Sequence, residues 1–244
     1  IVMKDVLIII PTYNEIENIE NIIISTFNLY PNINILIVDD NSPDFTYKIV
    51  EELKLKFKDQ LSLLKREKKQ GLGTAYIEGF KWALKNKFNY IFEMDADFSH
   101  NPKDIKRILE PMIENNYDIS IGSRYIKGIN VVNWPLSRII LSYAASIYVR
   151  LITNMNIKDS TSGYICYKKI VLESINLDNI KFTGYAFQIE MKYKSYLKNF
   201  KIIEVPIVFS DRVYGVSKLN GSIISEAIFG VLGMKIKKIF NIKF

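Results

Sequence analysis

The sequence has one cysteine, Cys166, and one histidine, His100, in 244 residues. A single cysteine cannot form an intrachain disulfide, so a disulfide-stapled secreted domain is excluded and a reducing, cytosolic compartment is expected. No stretch reaches the roughly 18 consecutive apolar residues that a membrane-spanning helix requires, so we expect that the chain does not span a bilayer. Low-complexity linkers and repeats with a period of about 20–50 residues are also missing, which argues against solenoids and tethered domains.

Basic side chains are in excess, and the excess is confined to one part of the chain. The formal net charge is +7. Residues 1–190 carry 23 basic and 23 acidic side chains, whereas residues 191–244 carry 10 and 3. A basic surplus is typical of proteins that bind nucleic acid, an anionic membrane or phosphorylated small molecules. Its confinement to the C-terminal segment weakens a general nucleic-acid surface and favours a local task, such as binding a phosphorylated small molecule or an anionic membrane.

The first 125 residues alternate short apolar runs with longer helical patterns. Runs that are short, rich in β-branched residues and bounded by polar residues predict buried strands at 6–10, 33–38, 61–65, 90–94 and 119–122. The intervening patterns predict helices at 17–29, 47–57, 74–87 and 102–114, the last with Asn101 as N-cap and Pro102 in its first turn. This alternation predicts an α/β fold with a mostly parallel central sheet and helices on both faces.

The regular alternation of short apolar runs and helical patterns ends near Trp134. The pattern predicts a long apolar helix at 135–153, a strand at 163–168, a helix at 186–197, a strand at 201–209 and an amphipathic helix at 223–240. We expect one domain over 1–244. It would consist of a first part at 1–125, a second part at 126–220 and a basic tail at 221–244.

Polar clusters follow three of the predicted strands. They are Pro11-Thr12-Tyr13-Asn14-Glu15, Asp39-Asp40-Asn41-Ser42-Pro43-Asp44 and Asp95-Ala96-Asp97. Any one of these clusters is also typical of turns and helix N-caps. Parallel α/β sheets bind ligands at the carboxyl ends of their strands, so we expect the clusters to meet at one functional edge.

Asp95 and Asp97 indicate a divalent metal. In an extended segment, residues two apart point to the same side, and Ala96 leaves room beside them. Two convergent carboxylates favour a cation between them, and Mg²⁺ or Mn²⁺ commonly bridges protein carboxylates to substrate phosphates. An Asp-x-Asp tripeptide is nevertheless a weak signal, so a metal–diphosphate site and a plain surface loop both remain open here.

Two glycine-containing segments are candidates for phosphate-binding loops. Gln70-Gly71-Leu72-Gly73-Thr74 has neither the Lys of a P-loop nor the third Gly of a dinucleotide fingerprint, so a turn entering a helix suffices. In the segment 211–218, Arg212 and Lys218 flank Gly215. This spacing suits a mobile loop that closes cations over a diphosphate, and a basic surface loop is the alternative.

Together these motifs resemble those of the dolichyl-phosphate mannose synthases, inverting glycosyltransferases with a nucleotide-sugar-binding α/β fold called GT-A. The resemblance covers almost the whole chain. It rests on 11–15, 38–44, Gly71-Leu72-Gly73-Thr74-Ala75-Tyr76, 94–100, Gly122-Ser123-Arg124-Tyr125, 184–191 and 211–218. The early motifs are shared by many glycosyltransferases. Those that begin at Gly71 and Asp211 are more particular to synthases that load a sugar onto a polyprenyl phosphate.

The resemblance implies a nucleotide-sugar-binding half at 1–125, an acceptor-binding half at 126–220 and a membrane-facing amphipathic tail at 221–244. It also implies roles for individual residues. The nucleoside would be held by Pro11, Tyr13, Glu15, Val38 and Asp40. The metal, Mg²⁺ or Mn²⁺, and the donor diphosphate would be held by Asp95, Ala96 and Asp97, with Ser99 as a further metal ligand that varies among relatives. The donor diphosphate and acceptor phosphate would be bound by Arg124, Arg138, Arg212 and Lys218. Asp97, Arg124 and Arg138 would be the catalytic residues. His100 is expected to have a structural part beside the metal loop.

The implied reaction transfers mannose from GDP-mannose to dolichyl or polyprenyl phosphate with inversion, at the cytoplasmic face of a membrane to which the protein binds peripherally.

Apolar residues at helical spacing in 139–151 and 224–239 are typical of core packing. One stripe, especially the last, which Lys235, Lys237 and Lys238 follow, is expected to rest on an anionic membrane. A membrane-anchoring subunit is a further partner consistent with the resemblance. The alternatives are UDP-glucose or UDP-N-acetylglucosamine as donor, and a non-catalytic membrane-surface subunit.

Overall fold

The computed structural model describes residues 3–211 and 221–240. Its strands are β1 (Val6–Thr12), β2 (Asn34–Asp39), β3 (Leu61–Lys65), β4 (Tyr90–Glu93), β5 (Ile119–Ser123), β6 (Val131–Val132), β7 (Ile165–Lys168), β8 (Ile202–Pro206) and β9 (Phe209–Ser210). Its α-helices are α1 (Ile19–Leu29), α2 (Thr46–Phe57), α3 (Leu72–Lys85), α4 (Ile105–Glu114), α5 (Leu136–Thr153), α6 (Lys169–Ser174), α7 (Tyr185–Leu197) and α8 (Gly221–Ile239).

The main sheet has seven strands in the order β3-β2-β1-β4-β7-β5-β8. Adjacent strands run parallel, except that β7 runs antiparallel to both β4 and β5. The carboxyl ends of β1, β2, β4 and β5 therefore lie along one edge. A second, two-stranded parallel sheet pairs β6 with β9.

Helices cover both faces of the main sheet, and each face has its own hydrophobic core. On β1, Val6, Ile8 and Ile10 pack in the cluster that includes side chains of α1, α2 and α4. Leu7 and Ile9 point the other way, into the cluster that includes α3, α6, α7 and α8. This alternation is the period of two that a strand imposes on its side chains. Both faces of the strand are apolar because both are buried.

The structure confirms the predicted α/β fold with a mostly parallel sheet, and it corrects some elements. The helix predicted at 102–114 begins later, at Ile105, because Pro102–Asp104 form a 3₁₀ turn. The predicted cap Asn101 caps that turn, and its Oδ1 accepts a hydrogen bond from Lys103 N at 3.0 Å. The single strand predicted at 201–209 was wrong. The chain leaves the main sheet after Pro206, and β9 pairs with β6 instead. The predicted division of the chain at 125 and 220 stays a prediction.

Helices α5 and α8 pack against each other, and Tyr148 donates a hydrogen bond to the carbonyl of Ile228 at 2.8 Å. By length and composition, α5 is the one helix in the described parts of the chain that could cross a membrane, with a mean hydropathy of 1.2 and 17% of its residues buried. Core helices of soluble proteins can have the same length and composition. The buried residues of α5 are Ser146, Val149 and Thr153.

Candidate active site

The ends of β1 and β2 are joined by a buried hydrogen-bond network. The hydroxyls of Thr12 and Ser42 each donate to Asp39 Oδ2 at 2.7 Å, and Ser42 N donates to Asp39 Oδ1 at 2.9 Å. Asp39 is fully buried, and these donors satisfy its charge. It therefore shapes the loop after β2 and leaves Asp40, the next residue, at the edge.

Asp40 is held by the buried Arg66, which no sequence motif indicates. Arg66 Nη1 lies 2.9 Å from Asp40 Oδ1, and Gln70 N donates to Asp40 Oδ2 at 3.3 Å. Arg66 Nη2 also donates to the Thr74 hydroxyl at 2.7 Å, at the start of α3. Burial raises the pKa of Asp40, and Arg66 opposes that rise. Arg66 thus joins the proposed nucleoside end to the turn that begins at Gly71.

The other residues expected at the nucleoside end lie at the same edge but differ in what they can offer. Pro11, Tyr13 and Glu15 are half-buried, and Lys69 Nζ sits 4.3 Å from the centre of the Tyr13 ring. Val38, in contrast, is fully buried in the core. Its side chain packs there, so a nucleoside would meet only its backbone.

The predicted metal loop follows β4. The strand ends at Glu93, and the chain bends from Ala96 onward, with Phe98 at φ 61°. Strand alternation alone therefore does not align Asp95 and Asp97. The Asp95 side chain is 38% exposed, whereas Asp97 is buried and its Oδ1 accepts a hydrogen bond from Ser99 N at 3.1 Å.

The donor set of this loop fits a hard divalent cation. Within the described ranges, no group of three or more His, Cys, Asp or Glu side chains gathers as an all-protein metal cage. Mg²⁺ is usually bound through one or two carboxylates plus substrate phosphates, which a partly exposed Asp95 beside Asp97 can provide. Ser99 and Ala96 are buried, with 3% exposure each. Ser99 is thus less accessible to an ion than Asp95.

His100 packs beneath the loop and does not face it as a base. Its Nδ1 accepts a hydrogen bond from Asp95 N at 3.0 Å, and its ring stacks on Tyr164 at 4.7 Å. Burial lowers the pKa of His100 to about 4, although the negative charge of Asp97 opposes that shift. An imidazole that stays neutral and uses Nδ1 as an acceptor orients the Asp95 backbone.

Arg124, at the end of β5, is held by a buried carboxylate. Its Nε and Nη2 donate to the two oxygens of Asp159 at 2.7 and 2.6 Å, and its backbone N donates to Oδ2 at 2.9 Å. Nη2 also donates to the Thr161 hydroxyl at 2.9 Å. Burial alone would raise the pKa of Asp159, but Arg124 outweighs it and holds that pKa below its ordinary value. This bidentate pair fixes the plane of the guanidinium.

Lys192 of α7 supports the loop that carries Asp159. This lysine is fully buried, and its Nζ donates to the carbonyls of Ser160 and Ser162 at 2.9 and 2.7 Å. From the other side, Glu204 accepts from Asp159 N at 2.9 Å. Burial lowers the pKa of Lys192 to about 8. The partner of Arg124 is therefore itself rigidly held.

Arg138 lies in the first turn of α5, and its Nη1 is 3.0 Å from Asp211 Oδ1. Its guanidinium carbon lies 4.0 Å from the centre of the Trp134 ring, and that of Arg124 lies 5.3 Å from the same centre. The structure thus brings two of the four predicted phosphate-binding cations to one aromatic residue. The other two, Arg212 and Lys218, lie outside the described residues.

Sequence reasoning missed Arg66, Asp159 and Trp134. Arg66 stands in the basic run Lys65-Arg66-Glu67-Lys68-Lys69, which is typical of a solvated surface. Asp159 lies 35 residues from Arg124 along the chain. No spacing rule connects these two residues. Trp134 belongs to no recognisable sequence motif, so the sequence gives no sign that it lies beside two arginines.

Comparison with known proteins gives a consistent result. The family model described as "Glycosyl transferase family 2" matches residues 7–176. The polyprenol monophosphomannose synthase of Mycolicibacterium smegmatis is 43% identical over 225 residues, covering 92% of this chain and 84% of that protein. The undecaprenyl-phosphate mannosyltransferase of Micrococcus luteus is 41% identical over 226 residues, covering 93% and 92%. The dolichol-phosphate mannosyltransferase of Pyrococcus furiosus is 40% identical over 223 residues, covering 90% and 60%.

Solved structures share the fold at much lower identity. The glucosyl-3-phosphoglycerate synthase from Mycobacterium tuberculosis, in complex with Mn²⁺, UDP-glucose and phosphoglyceric acid, has a TM-score of 0.69 to this chain at 15% identity. The match covers 94% of this chain and 79% of that chain. At this identity the likeness concerns the fold alone, which is the predicted GT-A fold.

Proposed function

This chain belongs to glycosyl transferase family 2, and we propose that it transfers mannose from GDP-mannose to dolichyl or polyprenyl phosphate with inversion. The observation that carries the proposal is the pairing of two charge clusters at one sheet edge. Carboxylates follow β4, and arginines follow β5 and begin α5. His100 connects them, since it accepts a hydrogen bond from Asp95 N and packs edge-on to Phe209, whose ring centre lies 5.5 Å from the guanidinium carbon of Arg124. One substrate with a metal-bound diphosphate and a second with a phosphate suit this arrangement.

The electrostatic task is to stabilise negative charge that grows on the leaving diphosphate. We propose that Asp95 and Asp97 hold a divalent metal, Mg²⁺ or Mn²⁺, which when bound would neutralise that charge. Arg212 and Lys218 are proposed to add positive charge from the 211–218 segment. A nucleoside diphosphate leaves as a stable anion, so no side chain has to protonate it.

The acceptor phosphate needs positioning and not deprotonation. A phosphate monoester has its second pKa near 6, so at neutral pH it is mostly dianionic and already nucleophilic. Arg124 and Arg138 are proposed to orient it, because a guanidinium binds phosphate oxygens in a fixed geometry. His100 is unsuited to act as a base, since it is buried and its Nδ1 is occupied by Asp95 N.

We also propose that the protein binds peripherally to the cytoplasmic face of a membrane, where an isoprenoid phosphate is embedded. The support is apolar surface on α5, whose first turn carries Arg138, and on α8, which packs against α5. Exposed apolar side chains include Leu136, Ile140 and Leu151 on α5 and Phe229, Ile236 and Ile239 on α8. Lys235, Lys237 and Lys238 stand beside the second group. An apolar stripe with flanking lysines is the composition of helices that lie in a membrane interface.

Donor competition tests the nucleoside assignment. Transfer from labelled GDP-mannose is measured with excess unlabelled GDP, UDP or UDP-glucose present. We expect GDP to inhibit at a concentration at least about tenfold below UDP. Stronger inhibition by UDP or UDP-glucose would contradict the GDP-mannose assignment and favour a UDP-sugar donor for the same lipid carrier.

A further inference from the structure

We propose that Trp134 is a positioning residue that fixes the relative orientation of Arg124 and Arg138 for the acceptor phosphate. This inference rests on the proposed function. The indole lies against both guanidinium groups, with their carbons 5.3 and 4.0 Å from its centre. Two guanidiniums repel each other, and the face of an indole attracts both, most strongly among the aromatic side chains. Trp134 therefore stabilises the positive charges of Arg124 and Arg138 near each other in the absence of a bound phosphate.

Each arginine is restrained on two sides. Asp159 binds Arg124 with both carboxylate oxygens, and Asp211 lies 3.0 Å from Arg138. The carboxylates fix the hydrogen-bonding edges of the guanidiniums, while Trp134 is placed against the groups themselves. Removing the ring would leave Arg124 fixed by Asp159 and would release the orientation of Arg138 relative to it.

Trp134 also connects the arginines to the metal loop. Its ring packs edge-on to Phe209 at 5.2 Å and 68°, and Phe209 packs edge-on to His100 at 5.5 Å and 77°. His100 in turn accepts the hydrogen bond from Asp95 N. Edge-to-face packing is a favoured aromatic geometry and is held by the surrounding side chains. This aromatic row therefore sets the spacing between the acceptor side and the donor side.

The indole N–H supplies a separate observation. Trp134 Nε1 is shielded from solvent and has no hydrogen-bond partner within residues 3–211 and 221–240. Buried donors without a partner are rare in native structures. The indole is therefore held in place by its ring contacts and not by a hydrogen bond.

Kinetics of two variants test the inference. In Trp134→Leu we expect the acceptor KM to rise at least about tenfold and the donor KM to stay within about twofold, since the arginines lose their common face. Trp134→Phe keeps a ring and removes the N–H, so it should show a smaller rise. Unaltered acceptor KM in a folded Trp134→Leu protein would overturn the inference.

Fluorescence provides a readout that does not depend on turnover. The chain has two tryptophans, and Trp82 stacks on Phe88, with ring centres 5.9 Å apart. In Trp82→Phe, emission comes from Trp134 alone and should change saturably when a short, detergent-soluble polyprenyl phosphate is added. The matched Trp134→Phe protein, which reports only Trp82, should not respond. The same alcohol without its phosphate should leave both unchanged.

The two tests separate this inference from the proposed function. If the wild-type chain forms no mannosyl lipid, the proposed function is wrong, whatever Trp134 does. If the wild type is active and Trp82→Phe shows no phosphate-dependent change, only the role of Trp134 is overturned. If Trp134→Leu does not fold, the fluorescence titration alone decides.

Discussion

His100 shows how one buried side chain links stability to pH. Its Nδ1 can accept the hydrogen bond from Asp95 N only when that nitrogen carries no proton. Burial lowers the pKa of His100 to about 4 in the folded protein, whereas an unfolded histidine titrates near 6.5. The folded state therefore prefers the neutral form. Its contribution is present above about pH 6.5 and is lost as the pH falls toward the folded pKa.

Replacing the histidine by a neutral residue should remove this pH dependence. Between pH 6.5 and the folded pKa, the wild type should lose about 1.4 kcal/mol of unfolding free energy per pH unit through His100. His100→Gln lacks this titration, so its curve should fall less steeply. Urea unfolding of both proteins at pH 7 and pH 5 measures the difference, and carboxylates common to both cancel. Parallel curves would show that His100 is not held neutral.

At this scale the sequence predicts residues that belong to short motifs. Asp95, Asp97 and Arg124 are found this way because each has a recognisable neighbourhood along the chain. Asp159 and Arg66 are not, since their partners come from the packing of separate strands. A long-range pair is created by topology, which local spacing does not encode.

Glycines on α8 show how one helix fits onto the domain. A Cβ at Gly230 would lie 2.6 Å from the ring of Phe182, whereas a Cβ at Gly233 would meet nothing within 4 Å. Phe182 precedes Thr183, whose carbonyl accepts from Gly73 N at 2.8 Å. The contact at Gly230 therefore ties α8 to the segment that packs on the start of α3.

Alanine at these two positions should have opposite effects. Gly230→Ala should destabilise the fold by about 1–3 kcal/mol, because the new methyl collides with Phe182. Gly233→Ala should stabilise it by about 0.5–1 kcal/mol, because alanine favours a helix and the site is open. Urea unfolding at one pH compares both with the wild type. Equal shifts in the same direction would contradict the packing of α8 on Phe182.

Elements were predicted well where burial makes the pattern strong. β3 was placed at its observed bounds, and the other four strands of the first 125 residues differed by at most two residues at an end. The short α6 and the two-residue strands β6 and β9 were missed, because so few residues show no period. The direction of β7 could not be read either. An apolar run looks the same whether its neighbours run parallel or antiparallel.

At the scale of the whole molecule, charge and apolar surface lie toward the C-terminal part. All of the net positive charge falls in residues 191–244, and exposed apolar residues are found along α5 and α8. The sequence predicted a membrane-facing stripe and favoured the last helix. The other candidate stripe, at 139–151, lies on α5, which packs against α8 and also exposes apolar side chains. Which helical face is exposed depends on how the two helices pack, and composition alone does not show this.

Charges placed on these helices should weaken membrane binding. Ile140→Asp combined with Ile236→Asp should reduce flotation with anionic liposomes by about tenfold or more, since a carboxylate resists transfer into lipid. Leu55→Asp is the matched control, because Leu55 is 80% exposed on α2, on the other face of the sheet. The control should float like the wild type. Equal flotation of all three proteins would rule out these helices as the contact.

Transfer of labelled mannose into lipid measures the proposed reaction itself. The wild-type protein is incubated with labelled GDP-mannose, Mg²⁺ or Mn²⁺ and polyprenyl phosphate, and the organic extract is counted. We predict label in a polyprenyl-linked product, its loss on chelation of the metal, and a fall of at least about a hundredfold in Asp97→Ala, since the metal and diphosphate lose a ligand. No labelled lipid from the wild type, or full activity in Asp97→Ala, would contradict the account.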